Sequence, residues 1–245
     1  MIPLRVIMLP SLLTTDDLQG RVVVVFDVLR ATTTMAAALQ AGAREIRIFD
    51  SLDKAQQAWK LFQGSKLLAG EKNCLPPPGF DMGNSPGDFT PGRCQDRTIF
   101  MSTTNGTRAL VAARQASLLL AGAVVNASAT ARAILDFQQP VTLLCAGTDG
   151  KIALEDLHGA GVVMEEIGIS NLLLENDEAY LAFQQSLSDP TGDRLYISQG
   201  GKNILRARLD QDICYAGQRN VIPFAVRICD VSGQLVASTH RISEV

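Results

Sequence analysis

Histidine is nearly absent from this chain: among 245 residues only His158 and His240 occur, far apart in sequence. That shortage excludes a histidine-rich metal centre and a phosphatase site built on two catalytic imidazoles. Cysteine is also sparse. Cys74, Cys94, Cys145, Cys214 and Cys229 form no close pair and no C-x-x-C spacing, which argues for reduced thiols rather than a disulfide framework or a structural zinc. No apolar run reaches the ~20 residues of a membrane-spanning helix. The opening "IPLRVIMLP" is too short and too broken by proline to be a leader, so the expected place is the cytosol, with no membrane partner. Positive charge is not in excess, the formal net charge being -3. Broad nucleic-acid binding is thereby excluded, although a local cationic pocket is not. The available chemistry belongs to carboxylates, amides, hydroxyls and isolated cations.

What the chain does have is alanine, leucine and valine. Apolar runs such as "RVVVVFD", "KLLAG", "TIFMS", "LLLAG" and "VTLLCAG" lack alternation, as strands buried on both faces require. Between them lie helical patterns, among them "TTTMAAALQAG", "LDKAQQAWKLFQ", "GTRALVAARQA", "ASATARAILDF" and "ALEDLHGAGVVMEEIG". This alternation predicts an α/β fold, a mostly parallel sheet or sheets flanked by helices. Residues 1–245 read as one unit. A similar layout around "DVLRATTT" and "TTNGTRA" leaves open an internal duplication, and sub-halves of about 1–125 and 126–245 remain open beside the single unit. After about Asn171 the chain turns polar, with helix-like stretches before a final strand pair.

In open α/β sheets, ligands collect where strands end and helices begin. Asp27 stands at such a point, followed by Arg30, Thr32, Thr33 and Thr34. The first amides of the next helix would form an anion site, and Arg30 supplies a planar cation for phosphate or sulfonate oxygens. Taken alone, a turn aspartate and a capping threonine explain this stretch. A second copy shifts the balance: Thr103, Thr104, Asn105, Gly106, Thr107 and Arg108 open another helix after an apolar strand. Gly106 would let backbone approach an anion closely. A long proline- and glycine-rich loop, "GEKNCLPPPGFDMGNSPGDF", adds Glu71, Lys72, Asp81, Asn84 and Ser85; loops of that length are usually functional or disordered. Glu155 and Asp156 open a further helix, where acids also complement the helix dipole. One Glu155-x-x-His158 spacing lacks the second copy that a di-metal bundle needs. Asp210 and Asp212 fall outside the apolar runs and read as solvated. "DVLRA" lacks the second aspartate of the Asp-x-Asp phosphatase signature, and "CAGTDGK" is not a Walker A sequence.

In order, "DVLRATTT", "GEKN…GFDMGNSP", "TTNGTRA", "CAG…LEDLHGAG" and "QDICYAG…VIPFAV" resemble the 2-phosphosulfolactate phosphatase family over nearly the whole chain. The resemblance implies a Mg2+-dependent phosphatase that converts 2-phospho-3-sulfolactate to 3-sulfolactate, a coenzyme M biosynthesis reaction, on an α/β fold of two related halves with the site between them. It implies Mg2+ held by Asp27 with help from Glu71, Asp81 or Asp156. Arg30 and Arg108 would hold phosphate and sulfonate together with amides near Thr33 and Gly106. Thr32, Lys72, Asn84, Ser85, Thr104, Asn105 and Thr107 complete the expected substrate contacts. Lys72 stands where the family has arginine, Cys74 where it has a small residue and His158 where it has cysteine; Lys72 offers fewer donors to an anion. His158 and the cysteines read as structural. Two alternatives remain beside this reading: a phosphatase for another phosphorylated hydroxy acid or sugar acid, and an anion-binding module without turnover. The partner expected is a small anionic phosphate ester, with a homo-oligomer left open.

Overall fold

The computed structural model describes residues 1–189 and 191–240. Its strands are β1 (Ile2–Ile7), β2 (Val22–Phe26), β3 (Glu45–Ile48), β4 (Lys66–Gly70), β5 (Thr98–Ser102), β6 (Leu118–Gly122), β7 (Val141–Cys145), β8 (Leu172–Leu174), β9 (Ala225–Val231) and β10 (Gln234–His240). The helices are α1 (Ala31–Gln40), α2 (Leu52–Leu61), α3 (Pro91–Cys94), α4 (Gly106–Ala112), α5 (Ala127–Phe137) and α6 (Leu154–Ile167). They continue with α7 (Asp177–Leu187), α8 (Arg194–Ile197), α9 (Gln199–Arg206) and α10 (Asp210–Ala216). The uninterrupted apolar runs become strands, as expected. β8, only three residues long, has too little pattern to be read from sequence.

All ten strands join one sheet in the order β4-β5-β3-β10-β9-β6-β2-β7-β1-β8. Two parallel blocks, β4-β5-β3 and β6-β2-β7-β1-β8, flank an antiparallel hairpin. That hairpin, β9–β10, pairs antiparallel with β6 on one side and β3 on the other. Its tight turn uses Ser232 (φ 53°) and Gly233 (φ 86°), the two left-handed residues of a turn whose twist matches the strands. Strands from both sides of residue 125 interleave, since β7 lies between β1 and β2.

Because three consecutive antiparallel pairings separate them, the two blocks run in opposite directions. Sheet twist of about 20–25° per neighbouring pair, accumulated from β4 to β2, turns one block toward the other. The sheet thereby coils around α1, and one apolar cluster joins Leu67 and Ile99 of the first block to Val23 and Val25 of the second. Both sets of carboxyl ends then open on one place.

β2 shows how composition positions the site. Val23 and Val25 face the cluster around α1, whereas Val22, Val24 and Phe26 face a second cluster containing α5, α6 and α7 residues. A strand covered on both sides has no use for polar side chains until it emerges, and it emerges at Asp27. Helix α1 is buried from Ala31 to Leu39, which its alanines make sterically feasible inside the coiled sheet. Among the described residues no helix is long and apolar enough to cross a membrane.

Candidate active site

Asp27 leaves β2 and meets two helix starts. Its Oδ1 accepts a hydrogen bond from Ala31 N at 3.1 Å, and the nearby Gly106 amide favours the charged carboxylate. An amide at the start of α1 is thus engaged by the protein's own aspartate, a favourable partner for a helix N-terminus. A Cβ on Gly106 would fall 2.5 Å from Asp27 Oδ2. The glycine is there for close approach, but to Asp27 rather than to a ligand.

The threonines have similar work. Thr32 Oγ1 donates to Asp27 O at 3.0 Å and accepts from Asp27 N at 3.1 Å. Thr33 Oγ1 donates to Val28 O (2.8 Å), Thr34 Oγ1 to Asn84 O (2.9 Å) and Thr107 Oγ1 to Thr103 O (3.0 Å). All four are buried: Thr32 and Thr33 close the turn that aims Asp27 and Arg30, Thr34 ties α1 to the proline-rich loop, and Thr107 closes the turn into α4. None of Thr32, Thr33, Gly106 and Thr107 lines the cavity described next.

A cavity of about 340 Å³ opens at the strand ends. Of the residues expected from sequence it collects Asp27, Arg30, Glu71, Asn84, Thr104 and Asn105. Asn84, one of the lining residues, is buried, and its Oδ1 has no hydrogen-bond partner. A second cavity of about 410 Å³ shares Glu71, Asn73, Thr103 and Thr104 with the first. Lys72 and Arg108 line this second one, both exposed. The structure therefore separates Arg108 from Arg30 into adjoining cavities.

Asp81 and Ser85 are placed elsewhere. Asp81 is exposed and lines neither cavity; its Oδ2 accepts from Leu68 N at 2.8 Å. Ser85 lies beside Arg30 rather than in the cavity wall. Its hydroxyl donates to Asp212 Oδ2 at 2.8 Å and accepts from Arg30 Nη1 at 3.0 Å. Asp212 is not solvated, contrary to its polar sequence context: it is 5% exposed and pairs with Arg30 Nη1 at 2.5 Å. Arg30 Nη2 donates to Cys74 O at 2.7 Å. One guanidinium thus ties the β2–α1 turn, the proline-rich loop and α10 together, and its orientation is fixed before any ligand arrives.

The acids are crowded. Burial pushes the Asp27 carboxyl up to about 6, and the negative charges of Glu71 and Glu155 push the same way against the Ala31 and Gly106 amides. Glu155 is raised, chiefly by burial. Asp156 is raised well above its ordinary value by burial, then by Glu155 and Asp27. Yet Asp156 has no idle oxygen: Oδ1 accepts from Val28 N and Oδ2 from Gly147 N, each at 2.9 Å. It pins two strand-end loops to each other. Glu155, 1% exposed, keeps Oε2 without a partner. Glu71 is held by Cys74 N at 2.6 Å and by the Thr104 hydroxyl at 2.8 Å.

Among the described residues no three carboxylate, imidazole or thiolate groups form a ready cage for a metal ion. The donors present nevertheless fit Mg2+. They are hard oxygens, buried at Asp27 and Glu155 and partly buried at Glu71, with the charges of Glu71 and Glu155 acting against Asp27 and one orphaned carboxylate oxygen on Glu155. Mg2+ usually takes one or two carboxylates and completes its shell with water and substrate phosphate. Asp27 and Glu71, which line the cavity and are backed by Glu155, suit that pattern better than Asp81 or Asp156, which do not line it.

One wall was not expected from sequence. Gly200, Asn203, Ile204 and Arg206 of α9 line the first cavity, with Thr148 and Asp149 from the loop after β7. The signal in α9 is an ordinary amphipathic pattern, which says nothing of what its polar face touches.

A polar cavity at the carboxyl ends of an α/β sheet, backed by buried carboxylates and a fixed arginine, defines a site for a small polar anion of the kind enzymes use. The chain belongs to the family described as 2-phosphosulpholactate phosphatase, whose match covers residues 7–230, and these are phosphoric monoester hydrolases. A probable 2-phosphosulfolactate phosphatase of Carboxydothermus hydrogenoformans is 36% identical over 224 residues, covering 91% of this chain and 93% of the relative. One of Synechococcus sp. (strain JA-3-3Ab) is 40% identical, covering 80% of this chain and 83% of the relative. One of Thermus thermophilus is 39% identical over the same shares, 80% and 83%.

Proposed function

We propose that this protein hydrolyses 2-phospho-3-sulfolactate to 3-sulfolactate and phosphate with Mg2+, in the type of reaction that serves coenzyme M biosynthesis. The observation that carries the reading is the meeting of Asp27, Glu71 and Arg30 on one cavity, in a chain of this family. Asp27 and Glu71, backed by Glu155, would hold the metal ion, which when bound would offset the charge of these carboxylates and of the phosphoryl group. Arg30 presents its remaining N–H donors to phosphoryl oxygens, in an orientation set by Asp212, Ser85 and Cys74 O. Thr104 and Asn105 offer polar contacts at the start of α4. Since the donors are fixed in advance, stabilising charge at the moment of transfer needs little reorganisation.

Arg108 and Lys72, one cavity away, attract the anionic ligand toward the opening. The cytosol is the compartment that suits reduced thiols and a soluble anionic substrate.

The test is phosphate release from 2-phosphosulfolactate and from p-nitrophenyl phosphate, with Mg2+ and with EDTA. The reading expects EDTA-sensitive turnover, with the sulfolactate ester preferred. Turnover of the aryl ester alone would point to another phosphorylated acid, and tight phosphate binding without turnover to a binding module.

A further inference from the structure

Two cationic side chains line the cavity of about 340 Å³, Arg30 and Arg206. They differ in what already faces them. Arg30 sits against the Asp212 carboxylate, so much of its charge is offset inside the protein. Arg206 donates from Nη1 to Asn203 Oδ1 at 3.3 Å, a neutral partner, and among the described residues it faces no carboxylate within ion-pair distance. Its guanidinium is exposed at the cavity wall.

The helix that carries it is firmly seated. Ile204 is 1% exposed. At Gly200 a Cβ would fall 1.9 Å from Glu155 Oε1, and at Gly201 one would fall 1.9 Å from Leu195 O. The N-terminal turn of α9 therefore rests directly on the buried acid behind the site and on the α8 backbone. Asn203 and Arg206 are held at a fixed distance from the Asp27 region, on a helix with little room to shift.

We propose that Arg206 is a specificity-determining residue that receives the second anionic group of the substrate, a sulfonate or carboxylate, while the phosphate ester lies toward Asp27 and Arg30. This rests on the reading given under Proposed function and deepens it: an aryl phosphate, whose only anionic group is the phosphate, needs only the Asp27 end, whereas a phosphorylated acid with a second anionic group needs a cation at both. A cation in the last turn of a helix also complements the dipole, but that role is indifferent to which ligand is bound.

Calorimetric titration separates the two roles. Wild type, Arg206→Ala and Arg206→Lys are titrated with 3-sulfolactate, lactate and inorganic phosphate in the presence of Mg2+, and their urea midpoints are compared. The expected result for Arg206→Ala is a loss of 3-sulfolactate affinity of roughly 10- to 100-fold, the range of a charged hydrogen bond. Phosphate affinity and the urea midpoint stay unchanged, and lysine restores part of the loss. A parallel fall for lactate assigns the carboxylate to Arg206; a loss confined to 3-sulfolactate assigns the sulfonate. Unchanged 3-sulfolactate affinity in the variant, or an equal fall for phosphate, overturns this inference alone. Failure of the wild type to bind 3-sulfolactate while binding phosphate overturns the proposed substrate and this inference with it.

Discussion

Replacing Gly106 by alanine isolates the fit between α4 and Asp27. The added Cβ would lie 2.5 Å from Asp27 Oδ2, 2.6 Å from Ala31 Cβ and 2.9 Å from Asp27 Cβ. Ordinary contacts of this kind lie at 3.4–4 Å, so the carboxylate and the start of α1 must retreat by about 1 Å, enough to matter at a reacting centre. Gly106 has no positive φ, so alanine meets no backbone strain there. Gly106 is the first residue of α4, where helix propensity contributes little, so the stability cost is that of overpacking, about 1–3 kcal/mol. Activity should fall as well: displacing a group by ~1 Å costs on the order of 100-fold. The assay is kcat/KM for phosphate release, run beside urea unfolding, with Gly92→Ala as control because its Cβ would meet nothing within 4 Å. A Gly106→Ala enzyme within about two-fold of wild type, a barrier change below ~0.5 kcal/mol, would refute the claim that Asp27's position controls the site.

Asp212→Ala leaves Arg30 buried without its carboxylate, and breaking such a pair costs about 3–5 kcal/mol; urea unfolding should show this, with Asp212→Asn milder because an acceptor remains. In the same variants KM for the phosphate ester should rise, and an unchanged KM would mean that Arg30 does not need Asp212 to face the ligand. Without metal, stability should fall as pH rises. Asp27 titrates near 3.8 by default and about 6 when folded, so the folded state holds its proton more tightly. That stability is fully present below the unfolded value and is lost as pH passes through about 6, by on the order of 3 kcal/mol. Urea midpoints in EDTA at about pH 5 and pH 7.5 should differ more in wild type than in Asp27→Asn, and Mg2+ should shrink the difference; equal slopes would contradict this.

The strands and most helices were legible in the sequence because burial on both faces of a sheet leaves an unmistakable apolar run, as in Val22–Phe26. Asp27, Glu71 and Arg30 were legible as breaks at the ends of such runs. The hydroxyls of Thr32, Thr33 and Thr107 were not, since a threonine that closes a turn and one that holds a ligand look alike in sequence. Asp212 escaped because its partner lies 182 residues away, and nothing local distinguishes a buried acid from a solvated one. α9 is hidden for the same kind of reason, since its close approach to Glu155 is a contact between elements far apart in the chain. Glu155 and Asp156 are neighbours with opposite fates: Asp156 is used up by two amides, and only geometry reveals that Glu155 has an oxygen to spare.

The most direct test of the account is phosphate release from 2-phosphosulfolactate by wild type and Asp27→Asn at saturating Mg2+. The substitution keeps the shape and removes the charge. The account predicts EDTA-sensitive turnover in the wild type and a loss of at least about 100-fold in kcat for the variant, the scale of a removed charge-stabilising group. Equal turnover in the two proteins would contradict it.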